Sequence, residues 1–348
     1  MKIIGCDFHP SYQQIAMVDT ETGELKEGRM EHEKGEAQRF YQALRDQVVR
    51  VGMEAVGNSH WFEQMLAEMG HELWIGDAAQ IRQSVVRRQK TDRRDAQHIL
   101  QLLIDGRFPR LWVPNVAMRD ARQLLRHRQK LVEMRTQVKN QLQHLALNQG
   151  VRRKGRLWSQ EGRAVLEGLP LQGWTARRRS DLLAMLDRLE AQVKELDGAV
   201  RREAEQRPAV QLLMSHPGVG PVVGLAYVLT IGPVARFPRG KQVASYLGLI
   251  PREHSSGGRQ KLGAISKQGN TMMRTLLVEA AQTAARFDEE LRRDYQRLKA
   301  RKHSALAKVM VARKLAVRLY WMLRENRCYT PRPVAHMQGR PSHSVVAG

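Results

Sequence analysis

Cysteine is nearly absent from this chain. The two in 348 residues, Cys6 and Cys328, lie far apart and in no metal-ligand spacing. That excludes a disulfide scaffold or a cysteine-built zinc site and leads us to expect a reduced, cytoplasmic setting. No run approaches the ~20 consecutive apolar residues of a membrane span. The first residues lack a signal-peptide pattern and lead straight into a strand-like segment. Patterns that read base sequence are missing as well: there is no zinc finger, RRM aromatic pair or homeodomain helix. Acidic charge is scarce, with 35 Asp and Glu against 58 Lys and Arg, for a net charge of +23.

That much positive charge repels itself unless a polyanion is present, and nucleic acid is the usual partner. The charge is uneven. Residues 1–105 hold 13 basic and 17 acidic side chains, while the remainder holds 45 and 18. A mildly acidic module is therefore followed by a strongly basic one. Apolar content is an ordinary 42%, and the length suffices for two or three domains with sizeable cores.

The acidic module reads as strands over 3–8, 14–19 and 24–30, a helix over 35–48, a strand over 49–54, a helix over 61–69 and a strand over 72–76. A basic stretch follows, then a helix from 92 to about 103. This is the element order of an α/β RNase H-like (RuvC-like) domain. Four carboxylates fall at informative points. Asp7 ends the apolar run of the first strand, Glu54 ends the fourth strand, and Asp92 and Asp95 lie three apart on one face of the last helix. Each alone reads as a cap or a solvated surface charge. Together they are hard oxygen donors from separate elements, the set a site for two divalent ions ~3.5–4 Å apart requires.

Beyond residue 112 the pattern is helical. Leu124, Leu131, Val138 and Leu145 recur every seven residues, and Leu182, Leu186, Leu189, Val193, Leu196 and Val200 alternate spacings of four and three. These are coiled-coil seams, satisfied by two antiparallel helices or by pairing between subunits. His216-Pro217-Gly218-Val219-Gly220-Pro221 links two short helical patterns, and a glycine hairpin of this kind presents N–H groups to a phosphate, as in helix-hairpin-helix modules. A polar, glycine-rich loop follows over 251–270, with Arg252, Ser255, Ser256, Arg259 and Lys267. Helices are predicted over 271–286 and 302–324, and the tail is expected to be disordered. Arg87, Arg88 and Lys90, and Arg152, Arg153 and Lys154, join Gly218, Gly220, Arg252, Arg259 and Lys267 as candidate contacts to DNA or RNA.

Several of these strings resemble one family, the Piv/MooV-type insertion-sequence transposases, also called bridge-RNA-guided or DEDD-type recombinases. The N-terminal likeness rests on Gly5-Cys6-Asp7, Glu54-Ala55-Val56-Gly57 and Lys90-Thr91-Asp92-Arg93-Arg94-Asp95-Ala96. The C-terminal likeness rests on His216 to Pro221, Ala244 to Arg252, Ser255-Ser256-Gly257-Gly258 and Ser266 to Asn270. The resemblance implies that Asp7, Glu54, Asp92 and Asp95 hold Mg²⁺, two ions per site, with Mn²⁺ as the alternative. It implies that Ser256 attacks a DNA phosphodiester to give a covalent phosphoserine link, with Ser255 a rival nucleophile, and that strand exchange follows. It further implies donor and target DNA, a structured noncoding guide RNA, and a homo-oligomer from dimer to tetramer. The expected division is a catalytic domain over 1–112, a coiled-coil oligomerisation region over 113–207, a mainly helical domain bearing the serine over 208–328, and a tail over 329–348. Two alternatives stand beside this: a hydrolytic RuvC-like junction nuclease, and a non-catalytic nucleic-acid-binding protein.

Overall fold

A computed structural model of the chain describes residues 1–84, 91–152, 155–253 and 261–331. The chain divides into two compact units, Met1–Pro114 and Asn115–Gly348. The first is mixed α/β and the second mostly helical.

The first unit runs β1 (Lys2–Phe8), β2 (Tyr12–Asp19), β3 (Leu25–Glu31), α1 (Glu36–Gln42), β4 (Val49–Glu54), α2 (His60–Glu68), β5 (Glu72–Gly76), α3 (Ala78–Gln83) and α4 (Asp92–Ile104). The sheet order is β3-β2-β1-β4-β5. β2 lies antiparallel to β1 and β3, whereas β4 lies parallel to β1 and β5 parallel to β4. Alternation sorts the side chains of β1. Ile4, Cys6 and Phe8 join Val51, Met53, Tyr41, Phe62 and Leu66 in one core under α1 and α2. Ile3 faces the other way, into a second core with Ala96, Ile99, Leu100 and Leu103 of α4. Gly5 shares that second face, and a Cβ there would stand 2.2 Å from the Ala96 carbonyl oxygen and 2.4 Å from the Leu100 nitrogen. A bare backbone at residue 5 thus lets α4 lie directly on β1.

The helix predicted over 35–48 is shorter than its pattern. α1 ends at Gln42, and tight turns carry the chain through Leu44 to Gln47. The cause lies in the sheet: the Val48 carbonyl accepts from Lys2 N–H at 2.8 Å, which draws this residue to the mouth of β4 and leaves its side chain exposed.

The second unit contains α5 (Val116–Asn148), α6 (Gln160–Glu167), α7 (Gly173–Glu205), α8 (Pro208–Met214), α9 (Pro221–Ile231), α10 (Gly240–Tyr246), β6 (Pro251–Glu253), β7 (Leu262–Ile265), α11 (Thr271–Phe287), α12 (Glu289–Arg301) and α13 (Ser304–Glu325). Both seven-residue patterns are buried against each other within one chain. Leu131, Val138, Leu142 and Leu145 of α5 share a core with Leu182, Leu186, Leu189 and Val193 of α7. The cross-links Arg128–Asp197 at 2.5 Å and Lys139–Glu190 at 2.8 Å show that the two helices run antiparallel. Their other ends root in a larger core built with α8, α9, α11 and α13, through Leu125 and Val200.

Three further features complete this unit. The segment 149–173 contains α6, whose Leu166 is buried. The loop over 251–270 begins as the antiparallel pair β6–β7. Tyr329, placed in the tail, is anchored: its N–H donates to Ser215 Oγ at 2.9 Å and its hydroxyl to Asp288 Oδ2 at 2.6 Å. Among the described residues no helix is long and apolar enough to cross a membrane.

Candidate functional site

Asp7 lies one residue before the end of β1, on the face that Ile3 and Gly5 turn toward α4. Glu54 ends β4, next to it in the sheet, since the parallel register pairs Cys6 with Met53. The N-terminus of α4 supplies the rest. Thr91 caps it, its Oγ1 accepting from Arg94 N–H at 3.4 Å. Asp92 and Asp95 then occupy the first turn, where the helix dipole favours negative charge. The close approach of Ala96 and Leu100 to Gly5 sets this end of α4 beside Asp7.

The tightest grouping is Asp7, His9 and Asp92. One ligand atom from each lies within 4.8 Å of the others. His9 Nε2 is 3.1 Å from Asp7 Oδ2 and 3.8 Å from Asp92 Oδ2. Tyr12 positions Asp92, its hydroxyl donating to Oδ2 at 2.7 Å. The Tyr12 ring stacks on His9 with centroids 4.6 Å apart, and the Arg29 guanidinium lies over it at 3.8 Å. Burial pushes the Asp7 carboxyl above its ordinary value. The His9 contact pulls it back, while the charges of Asp95 and Asp92 push it further up. Asp95 is therefore close enough to act on Asp7 through its field. Glu54 is not in the tight group, and its Oε1 accepts from Arg82 Nη2 at 3.3 Å. Cys6, beneath Asp7 in the opposite core, is no nucleophile: burial and the neighbouring Asp7 charge hold it as a thiol.

His9, Tyr12 and Arg82 carry roles that the sequence pattern did not point to. His9 had a signal, two residues after Asp7. Tyr12 had none, because only the β1–β2 hairpin, closed by His9 N–H donating to the Tyr12 carbonyl at 2.9 Å, brings it to Asp92.

The remaining candidates among the described residues lie in the second unit. Gly218 has φ +84°, and a Cβ there would lie 2.6 Å from the Ala280 carbonyl oxygen of α11, so this glycine serves packing between elements. Gly220 caps α9 and has open space around its Cα. His216 is buried, its ring tilted against Tyr329 with centroids 4.5 Å apart and its Nδ1 2.8 Å from the Pro217 carbonyl oxygen; burial depresses its basicity. Arg252 is exposed on β6 and reaches the Ser266 carbonyl at 3.4 Å; Lys267 and Arg152 are exposed. Buried Arg274 donates to Thr271 Oγ1 at 2.9 Å and to the Leu247 carbonyl at 3.4 Å, pinning the backbone on either side of the β6–β7 pair. Ser255, Ser256, Arg87, Arg88, Lys90, Arg153, Lys154 and Arg259 lie outside the described residues.

Comparison with known proteins identifies relatives of this chain. Residues 4–149 match a transposase family of the DEDD IS110 type, and residues 210–296 match the transposase IS116/IS110/IS902 family. A probable family 20 transposase of Pseudomonas aeruginosa is 30% identical over 290 residues, covering 81% of this chain and 86% of that protein. The transposase for insertion sequence element IS1111A of Coxiella burnetii is 30% identical over 247 residues, covering 68% of this chain and 66% of its own length. The transposase for insertion sequence element IS1328 of Yersinia enterocolitica is 25% identical over 288 residues, 78% of this chain and 83% of that protein. A mixed sheet bearing clustered carboxylates, a basic helical remainder and relatives spanning most of both lengths place the chain in the IS110/IS116/IS902 family of transposases, enzymes that act on DNA.

Proposed function

We propose that the chain is the recombinase of an insertion sequence, in which Ser256 attacks a DNA phosphodiester and carboxylates of the first unit hold a divalent metal. The observation that carries this is the convergence of Asp7 and Asp92, from a strand end and a helix start, on a patch 4.8 Å across. The donor set, carboxylate oxygens with one imidazole nitrogen, suits a divalent cation. Asp7 and Asp92, with Glu54 and Asp95 flanking them, are the residues that would hold Mg²⁺. When bound, Mg²⁺ supplies Lewis-acid stabilisation of charge on phosphoryl oxygens. The strand order β3-β2-β1-β4-β5 supports a RuvC-like domain, and the burial of α5 on α7 supports a coiled-coil region. The division at 112, 207 and 328 is part of this proposal, as a functional one.

In this reading the Ser256 Oγ–P bond forms as the P–O3′ bond breaks. The serine proton is lost and the departing oxygen becomes a 3′-hydroxyl. The phosphoserine link conserves the phosphodiester free energy, so strand exchange reverses the step without ATP. Arg252 and Lys267, which flank the nucleophile in sequence, and Arg152, between α5 and α7, would contribute phosphate contacts. The absence of a base-reading motif fits a noncoding guide RNA; a homo-oligomer that joins donor to target and a cytoplasmic setting complete this reading. The test is covalent trapping. Protein and element-flank RNA are incubated with Mg²⁺ and labelled junction DNA, then resolved on a denaturing gel. An adduct formed by wild type and Ser255→Ala, but lost in Ser256→Ala, is expected. Cleavage without adduct, unchanged in Ser256→Ala, would make the chain a hydrolytic junction nuclease. No cleavage with any divalent metal would leave a non-catalytic binder.

His9 bears on metal choice. An imidazole beside two carboxylates shifts preference toward Mn²⁺, since nitrogen donors suit transition metals better than Mg²⁺. His9→Ala is expected to weaken Mn²⁺ binding about 10-fold, in the range seen when a donor's support is lost, and Mg²⁺ binding much less. Electron paramagnetic resonance titration of free Mn²⁺ checks it; equal losses for both ions would show that His9 only orients Asp7.

A further inference from the structure

A groove in the described part of the second unit is not used by any of the chemistry above. It holds about 990 Å³ between the β6–β7 pair, α12 and α13, within the range of small-ligand pockets, roughly 300–1,000 Å³. Leu249, Leu298, Met310 and Val317 make its floor apolar, and Trp321 stands in it 43% exposed. Its rim carries Arg297, Lys302, Arg313, Lys314 and Arg318 against the carboxylates Glu290 and Glu325. Arg297 and Lys314 are held by Asp294, and Arg318 by Asp288 and Glu290. Lys302 and Arg313 also line the groove, and neither has a carboxylate partner among the described residues.

An apolar floor carrying an indole face, beneath unneutralised cations, is the chemistry of a nucleotide: a base to stack and a phosphate to pair. A duplex buries its base faces, so the groove can take only an unstacked one. Two observations favour a nucleic-acid strand over an acidic peptide. The chain belongs to a transposase family and carries +23. The groove wall is also formed by Pro251, Leu262, Gly263 and Ile265, from the two strands that the Ser255-Ser256 segment joins. We infer that this groove seats an unpaired stretch of the DNA strand being processed, with one base against Trp321 and phosphates further along the strand at Arg313 and Lys302. The inference rests on the DNA-strand reading but not on which serine attacks.

The test is photocrosslinking of the full chain to a single-stranded oligonucleotide carrying 5-iododeoxyuridine, with peptide mapping. The crosslink is expected on Trp321. Trp321→Ala should weaken single-strand binding about 10-fold or more and change duplex binding less than about 2-fold, with the melting temperature followed in parallel. Lys302→Gln with Arg313→Gln should give the same selective loss while leaving the apolar floor intact, which keeps the test valid if Trp321→Ala is unstable. Trp174→Ala, at an 88% exposed tryptophan on α7, should change neither. Crosslinks confined to other segments overturn the inference. So do equal losses on single strand and duplex, or displacement of the crosslink by an acidic apolar peptide and not by a second oligonucleotide. A missing phosphoserine adduct with the Trp321 crosslink intact would instead count against the serine step alone.

Discussion

Gly5→Ala should lower the melting temperature of the N-terminal unit by roughly 10 °C or more. The new Cβ would stand 2.2 Å from the Ala96 carbonyl oxygen and 2.4 Å from the Leu100 nitrogen. Both are backbone atoms of α4, so no side-chain rotation relieves the overlap and the helix has to lift as a body. Overpacking costs about 1–3 kcal/mol where side chains can yield, and more where backbone must move. In a unit of this size each kcal/mol is worth about 4–8 °C. Because α4 also carries Asp92 and Asp95, DNA cleavage should fall further than the loss of folded protein explains, a misplacement of about 1 Å being worth ~10²-fold. Gly28→Ala on β3 is the control, since nothing lies within 4 Å of its added carbon. Thermal melts followed by circular dichroism measure both. A Gly5→Ala protein that melts with wild type would mean that α4 does not rest on the β1 backbone.

The N-terminal half of the fold is legible because its signals are local. The runs at 49–54 and 72–76 coincide with β4 and β5, and α4 begins at Asp92 as its Thr cap and acidic first turn require. Where local pattern and sheet geometry conflict, geometry wins. The apolar periodicity over 35–48 would run through Val48, but residue 48 is needed at the mouth of β4. In the second unit, the surface helix α12 has little apolar content beyond Leu291, Tyr295 and Leu298, and β6–β7 is too short and polar for an alternation signal. The same distinction governs the site. Asp7, Glu54, Asp92 and Asp95 mark the ends of elements, which a sequence displays. Tyr12 reaches Asp92 across 80 residues, and Arg82 reaches Glu54 across 28, through tertiary packing that no spacing encodes.

Asp7→Asn should separate stability from activity in opposite directions. Burial raises the Asp7 carboxyl above its ordinary value, with Asp95 and Asp92 adding to the rise against His9. In the unfolded chain the same carboxyl titrates at its ordinary, lower value. Between the two values the unfolded state releases its proton first, so stability declines as pH rises through that window and stays reduced at neutral pH. Asparagine has the shape of the carboxyl without its charge, and the metal-free variant should therefore melt higher than wild type at pH 7 and no higher below the carboxylate range. Divalent metal reverses the order. Ligand that binds only the folded state stabilises it in proportion to the logarithm of its concentration, and the variant has lost a charged donor at the centre of the cluster. Plotted against Mg²⁺ or Mn²⁺, the two melting curves should cross. At saturating metal, cleavage and strand transfer by the variant should be lower by on the order of 10³-fold or more, as for removal of a group that acts as part of a catalytic unit. Parallel melting curves with activity retained would place the reactive centre elsewhere on the chain. A crossing with activity lost would mean that the charge which strains the folded protein at Asp7 is the one the metal site needs.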